Sequence, residues 1–319
     1  MIYPDNFEQK IGFNEIRNML RERCLSTLGK EQVEKMAFSD DAEQVNEWLK
    51  QVREFRRLIL EVEDFPLQYF YDVRESIVRI RIENTHLEEN ELFDLRRSLS
   101  TIDCIVKILN HSDEDESHAE ENDGWRREKK YTYPSLHLLA KDIVTFPQIV
   151  QRIDQILDKF GKIRDNATPE LLQIRRELAK TEGSISRTLY SILRSAQSEG
   201  VVEKDVTPTL RDGRLVIPVI PTLKKKIKGI VHDESATGKT VFIEPTEVVE
   251  ANNRVRELEG EERKEIIRIL TQFTNKLRPY TREIMDSYRF LAKIDLIQAK
   301  QKLAEIQKAI EPENLRSEE

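Results

Sequence analysis

Residues Thr168–Gly200, TPELLQIRRELAKTEGSISRTLYSILRSAQSEG, decide how this chain is read. Thr168 is a good helix N-cap, Pro169 suits the first helical turn, where no amide partner is needed, and Glu170 complements the positive end of the helix dipole. No strong breaker follows before Gly200, and Gly183 is the only weak point. Apolar residues fall at Leu171, Ile174, Leu178, Ile185, Leu189, Ile192 and Ala196, in steps of three, four or seven. Such spacing makes a narrow seam, as in a coiled coil. It predicts a helix of roughly 31 residues, about 46 Å long at ~1.5 Å per residue.

A second helix of nearly equal length is expected from Thr246-Glu247 to Pro279. Its seam is Val248, Val255, Leu258, Ile266, Ile269, Phe273 and Leu277, interrupted by Asn252 and Glu262. Two such helices most simply pair antiparallel, which puts the intervening residues 201–245 at the far end of the pair. That segment is rich in Val, Ile and Thr. Val206–Leu210, Asp212-Gly213 and Leu215–Ile220 read as a hairpin, since Asp-Gly is a strong turn signal. Pro218 and Pro221 confine the second strand to an edge or end it early. Ile227–His232, a turn over Ser235–Gly238 and Thr240–Ile243 read as a second hairpin.

Upstream lies a series of amphipathic helices: one around Ile11–Leu28, then Ala42–Leu60, Asp72–Arg81, Glu88–Leu109 and Phe146–Phe160. Helix resumes after Pro279 through Tyr288, Leu291, Ile294, Ile297, Ala299 and Leu303, returning beside the N-terminal helices. The expected fold is mainly α: a helical core with two long antiparallel helices carrying a small β-rich tip. The divisions are 1–167 (core), 168–200 (ascending helix), 201–245 (tip), 246–279 (descending helix) and 280–319 (return and polar tail).

Composition agrees. Of 319 residues, 35% are charged and 38% hydrophobic, with only 10 Gly and 11 Pro, which suits an elongated helical protein. Cys24 and Cys104 are expected to be reduced, buried thiols in a cytoplasmic protein. The start, Met1-Ile2-Tyr3-Pro4-Asp5-Asn6, lacks the basic and apolar regions of a signal peptide, and no apolar run approaches the ~18 residues of a membrane span. Residues 112–123 include seven acids among twelve and read as a solvated loop; His111 and His118 there fit no zinc or EF-hand spacing.

Catalytic motifs fail on inspection. Gly238-Lys239-Thr240 resembles the end of a phosphate-binding loop, but Asp233 stands where its first glycine belongs and a strand follows where a helix is needed. No Ser/His/Asp, Cys/His or HExxH set is present, so no enzyme is expected in this chain. What remains is basic. Between Leu210 and Ile230, Arg211, Arg214, Lys224, Lys225, Lys226 and Lys228 stand against Asp212 alone, inside a chain of net charge −7. A basic tip on a long arm suits contact with a phosphate backbone without base reading. The alternative is a solvated hairpin whose lysines protect strand edges.

His232-Asp233-Glu234-Ser235-Ala236-Thr237-Gly238-Lys239-Thr240-Val241-Phe242-Ile243-Glu244-Pro245 resembles a signature of the MutS family, in the type-two subfamily that lacks the mismatch-recognition domain. Val248-Val249-Glu250-Ala251-Asn252-Asn253-Arg254-Val255-Arg256-Glu257-Leu258-Glu259 resembles the helix that follows it there. Gly213–Val219, Leu28-Gly29-Lys30 and Leu291–Lys300 resemble further family segments, so the likeness covers essentially the whole chain. It implies a core, two levers and a clamp. In the family, the clamp of a dimer closes around DNA and the levers connect it to an ATPase.

That ATPase and the subfamily's Smr nuclease domain have no counterpart here. The resemblance therefore implies an N-terminal piece of a longer homodimeric protein. ATP and Mg belong to the absent part, and no cofactor is expected in this one. Expected partners are branched or duplex DNA, or alternatively ribosomal RNA, and no membrane; a helical scaffold without nucleic-acid contact is the remaining reading. Phe13-Asn14-Glu15 matches the Phe-x-Glu of mismatch-recognising members, but their motif belongs to a separate domain for which there is no room here.

Overall fold

The computed structural model describes residues 6–69, 71–112 and 131–312. Most of the acidic stretch 112–123, with His118, lies outside the described residues, as do Trp125–Lys130 and the tail from residue 313. In chain order the helices are α1 (Phe7–Lys10), α2 (Phe13–Arg23), α3 (Thr27–Glu34), α4 (Ala42–Glu61), α5 (Arg74–Arg79), α6 (Glu89–Leu109), α7 (Pro134–Ala140), α8 (Pro147–Ile156), α9 (Pro169–Ser198), α10 (Val249–Leu277) and α11 (Thr281–Gln307). Strands β1 (Thr209–Arg211), β2 (Arg214–Val219), β3 (Gly229–Glu234) and β4 (Val241–Pro245) lie between α9 and α10. The chain divides into two compact units, Met1–Lys162 with Phe273–Glu319, and Ile163–Gln272. The mainly helical fold with one small sheet is as the sequence predicts.

In the first unit α11 is the central helix and packs on α2, α3, α4 and α5. It buries residues on nearly every face, from Ile284 and Tyr288 through Leu291, Ile294 and Ile297 to Leu303, as a core helix must. One of the buried residues is charged. Asp295 accepts hydrogen bonds from the Leu25 amide at 2.9 Å, the Ser26 amide at 3.0 Å and the Ser26 hydroxyl at 2.6 Å. Ser26 is also the N-cap of α3, accepting from the Gly29 amide at 3.1 Å, so the carboxylate sits at the positive end of that helix. A Cβ on Gly29 would lie 2.2 Å from Asp295 Oδ2, so glycine is what lets α3 approach. Two of the family-like segments, Leu28-Gly29-Lys30 and Leu291–Lys300, therefore meet at one contact.

Cys24 is buried, and its thiol is pushed up to about 12 by burial and the nearby Asp295. Cys104 is exposed, contrary to expectation. It occupies the outer face of α6, while Thr101, Ile102, Ile105 and Val106 face inward. Phe13, of the Phe-x-Glu match, opens α2 beneath the Arg17 guanidinium, 5.2 Å from its ring centroid.

In the second unit Thr168 caps α9 through the Leu171 amide at 3.1 Å. The helix ends two residues before Gly200, which takes φ +71°. α9 and α10 run antiparallel: Thr168 donates to Glu265 at 2.7 Å, Arg175 to Glu262 at 2.7 Å, and Arg254 to Glu177 at 2.9 Å. The seam is thinner than its spacing suggests. Leu171 and Ile185 are buried, but Ile174 and Leu178 between them are only half-buried. The second helix ends at Leu277, two residues before Pro279. The proline's missing amide is absorbed by a 3-10 turn, Arg278–Tyr280, and α11 follows directly.

The four strands form an antiparallel sheet in the order β1-β2-β4-β3. Both hairpins exist, and β2 joins them by pairing with β4. Asp212 at φ +49° and Gly213 at φ +73° give the first turn the double left-handed conformation that Asp-Gly favours. Pro218 is tolerated in an inner strand because β1 pairs only with residues 214–216, leaving β2 one partner at Pro218. Ile185, Leu189, Leu193 and Ala196 of α9 pack with Ile217, Val219, Val241 and Ile243 of the sheet and with Val248 and Val255 beyond it.

Candidate nucleic-acid interface

The lysines sit on a short 3-10 helix, Pro221–Lys226, and the residues after it. Leu223 packs against the core and Ile227 is buried within it. These two residues pin the segment, and Lys224, Lys225, Lys226 and Lys228 are exposed beside them. The segment's exit is fixed as well. The Thr246 amide donates to the Lys228 carbonyl at 3.1 Å, and a Cβ on Gly229 would lie 2.1 Å from the Glu244 carbonyl oxygen. None of the four ammonium groups has an ion pair or hydrogen bond among the described residues. The result is a row of free charges on a fixed backbone.

The two arginines differ from the lysines. Arg211 reaches over the sheet. Its guanidinium lies 4.2 Å from the Phe242 ring centroid and 3.7 Å from the Asp233 carboxylate, and it remains half-exposed. Arg214 is consumed internally, donating to Glu244 at 2.7 Å and to Asn253 at 2.6 Å, with 15% of its side chain exposed. Charge counting cannot separate such an arginine from a free one. The same counting missed Lys239, which is exposed on the β3–β4 turn. It lines a depression with Pro221 and Thr222 at the start of the lysine segment, opposed there by Glu203.

Glu244 is the hub beneath this surface. It is fully buried, yet it accepts from His232 Nε2 at 2.5 Å, Arg214 at 2.7 Å and Asn252 at 2.7 Å. A β-bulge between Val231 and Asp233 leaves His232 unpaired in the ladder and turns it toward Glu244. Burial alone would raise the Glu244 pKa; the bonds from His232, Asn252 and Arg214 outweigh burial and hold it below the usual glutamate range. Both Glu244 carboxylate oxygens are already taken, one by Arg214 and Asn252 and the other by His232. The role of this cluster is to tie β2, β3 and β4 to the first turns of α10. Gly238, in the phosphate-loop look-alike, takes φ +66° in a turn closed by the Ser235 amide on the Thr240 carbonyl, and β4 follows it. Among the described residues no group of three or more His, Cys, Asp or Glu side chains could hold a metal ion.

His232, Glu244, Asn252 and Asn253 all come from the segments that carry the family likeness, and the structure brings them together around Arg214. Comparison with known proteins agrees. No family model matches the chain. It is, however, 35% identical over 300 residues to the endonuclease MutS2 of Levilactobacillus brevis, and 33% identical over 300 residues to that of a Geobacillus species. It is 33% identical over 303 residues to that of Thermomicrobium roseum.

The chain is homologous to MutS2.

The alignments cover 94% or 95% of this chain but only 36% of each of those MutS2 proteins, and the chain corresponds to an N-terminal portion of them. Among the described residues, no helix is long and apolar enough to cross a membrane.

Proposed function

We propose that this chain is the non-catalytic core, lever and clamp portion of a MutS2-like DNA repair or recombination ATPase, and that it holds DNA by its phosphate backbone. The observation that carries the reading is the row of four exposed, unpaired lysines on a pinned segment. In this reading α9 and α10 are the levers, and branched or recombining DNA is preferred over mismatches. Contact runs through Lys224, Lys225, Lys226 and Lys228, with Arg211 in reach and Arg214 holding the scaffold. ATP, Mg and dimer formation belong to the longer protein. Lysine point charges without base-reading side chains favour affinity over sequence discrimination.

The test is anisotropy titration of branched and duplex DNA with the 319-residue chain, over 50 to 200 mM salt. Each phosphate contact adds about 0.9 to the slope of log affinity against log salt, so replacing the four lysines with Gln should flatten the slope by about 3 to 4. An unchanged slope and affinity would remove the lysine segment as the contact. Ribosomal RNA offers the same phosphates; stronger retention on ribosomes than on branched DNA at matched salt would move the assignment to RNA.

A further inference from the structure

The first unit carries a cleft of about 470 Å³ between α4, α11 and the segment after α3. Its size falls within the ~300–1,000 Å³ of small-molecule sites. Its lining is one-sided in charge: Lys35, Lys293 and Lys300 border it, and no carboxylate among the described residues does. The Lys300 ammonium lies 5.6 Å from the Trp48 ring centroid and has no ion pair or hydrogen bond among the described residues. Burial lowers its pKa, so the charged form lacks a counter-ion here. Gln51 is 9% exposed and its amide also makes no hydrogen bond among the described residues; Gln32 across the cleft makes none either. An amide and an ammonium without partners among the described residues, both bordering the cleft, contrast with Glu244, whose two carboxylate oxygens are both bonded.

We infer that this cleft binds a nucleotide, with the planar base against Trp48, its polar edge met by Gln51 and Gln32, and its phosphates met by Lys35, Lys293 and Lys300. An aromatic face, amide edges and cations without acids match the three parts of a nucleotide together. A purely apolar ligand would leave the ammonium and amide groups unmatched, and a bare anion would leave Trp48 and Gln51 unused. The site is independent of the lysine row in the other unit.

The test is equilibrium dialysis of the 319-residue chain against ATP, AMP, inorganic tripolyphosphate and a 5′-phosphorylated dinucleotide. Binding of ATP or of the dinucleotide, each stronger than tripolyphosphate, is expected, and the two separate a free nucleotide from a strand end as the source. Lys300→Met and Gln51→Leu, each confirmed folded by circular dichroism, should weaken binding by about tenfold. Tripolyphosphate binding as tight as ATP would overturn the proposal by making the base irrelevant. So would absence of nucleotide binding at millimolar concentration, or loss of nucleotide binding in the tip lysine variant with none in Lys300→Met.

Discussion

Replacing Glu244 with Gln should loosen the sheet while leaving all four exposed lysines in place. The carboxylate is fully buried and takes three hydrogen bonds, two of them at one oxygen, from Arg214 and Asn252. Glutamine keeps a carbonyl for those two donors but removes the negative charge opposite Arg214. Breaking a buried ion pair costs about 3–5 kcal/mol. Arg214 keeps its bond to Asn253 and 15% side-chain exposure, so a smaller cost, about 2 kcal/mol, is expected. The chain has two units, so a single unfolding transition is the wrong readout. Amide exchange of β2 and β4 reports the opening of this sheet directly. The variant should exchange there about thirtyfold faster, and Arg214→Met combined with Glu244→Gln should cost less than the two changes summed, by about 1–2 kcal/mol. Additivity within about 0.5 kcal/mol would refute the network as the support of the sheet.

Three further outcomes follow from the same geometry. Gly29→Ala should lower the melting temperature of the first unit, at a cost of about 1–3 kcal/mol, because its Cβ would collide with Asp295; adding Asp295→Ala should return part of the loss, and an unchanged melt would sink the contact. Glu244 titrates below its ordinary 4.5 in the folded state, so it stabilises the sheet above the unfolded value and that contribution is lost as pH falls through the folded one. Exchange protection of β4 should therefore drop in acid more steeply in the parent than in Glu244→Gln. Thr168→Val should cost about 1 kcal/mol through the lost cap on α9, read as faster exchange of the Leu171 amide; equal protection in the two proteins would mean the cap is idle.

The sequence makes α9 legible because its start is written in three residues, Thr168-Pro169-Glu170, and its end in Gly200. The tip is legible as β because Asp212-Gly213 and the Val/Ile runs are local signals. Sheet order is not local: β2 pairs with β4, across the lysine segment and β3, and no turn residue announces it. Glu244 is invisible for a related reason. An acid in a strand reads as solvent-facing, yet every residue of β4 is buried, since strands flank it on both sides and α10 starts beneath it. Arg214 misleads in the opposite sense: one more basic residue in a basic stretch, with its partners 30 and 39 residues away. The Gly29–Asp295 contact spans still more chain, and only a backbone approach explains the glycine.

The thin stretch of the α9–α10 seam has a mechanical consequence. From Leu172 to Ser184 α9 buries no side chain fully; α10 contributes the fully buried Leu258 there, flanked by two ion pairs, Arg175 to Glu262 and Arg254 to Glu177. Ionic ties of partly exposed side chains weaken with salt, whereas the apolar contacts around Ile185–Ala196 do not. Salt therefore tunes the ionic share of the pair's cohesion and leaves the apolar share next to the sheet alone.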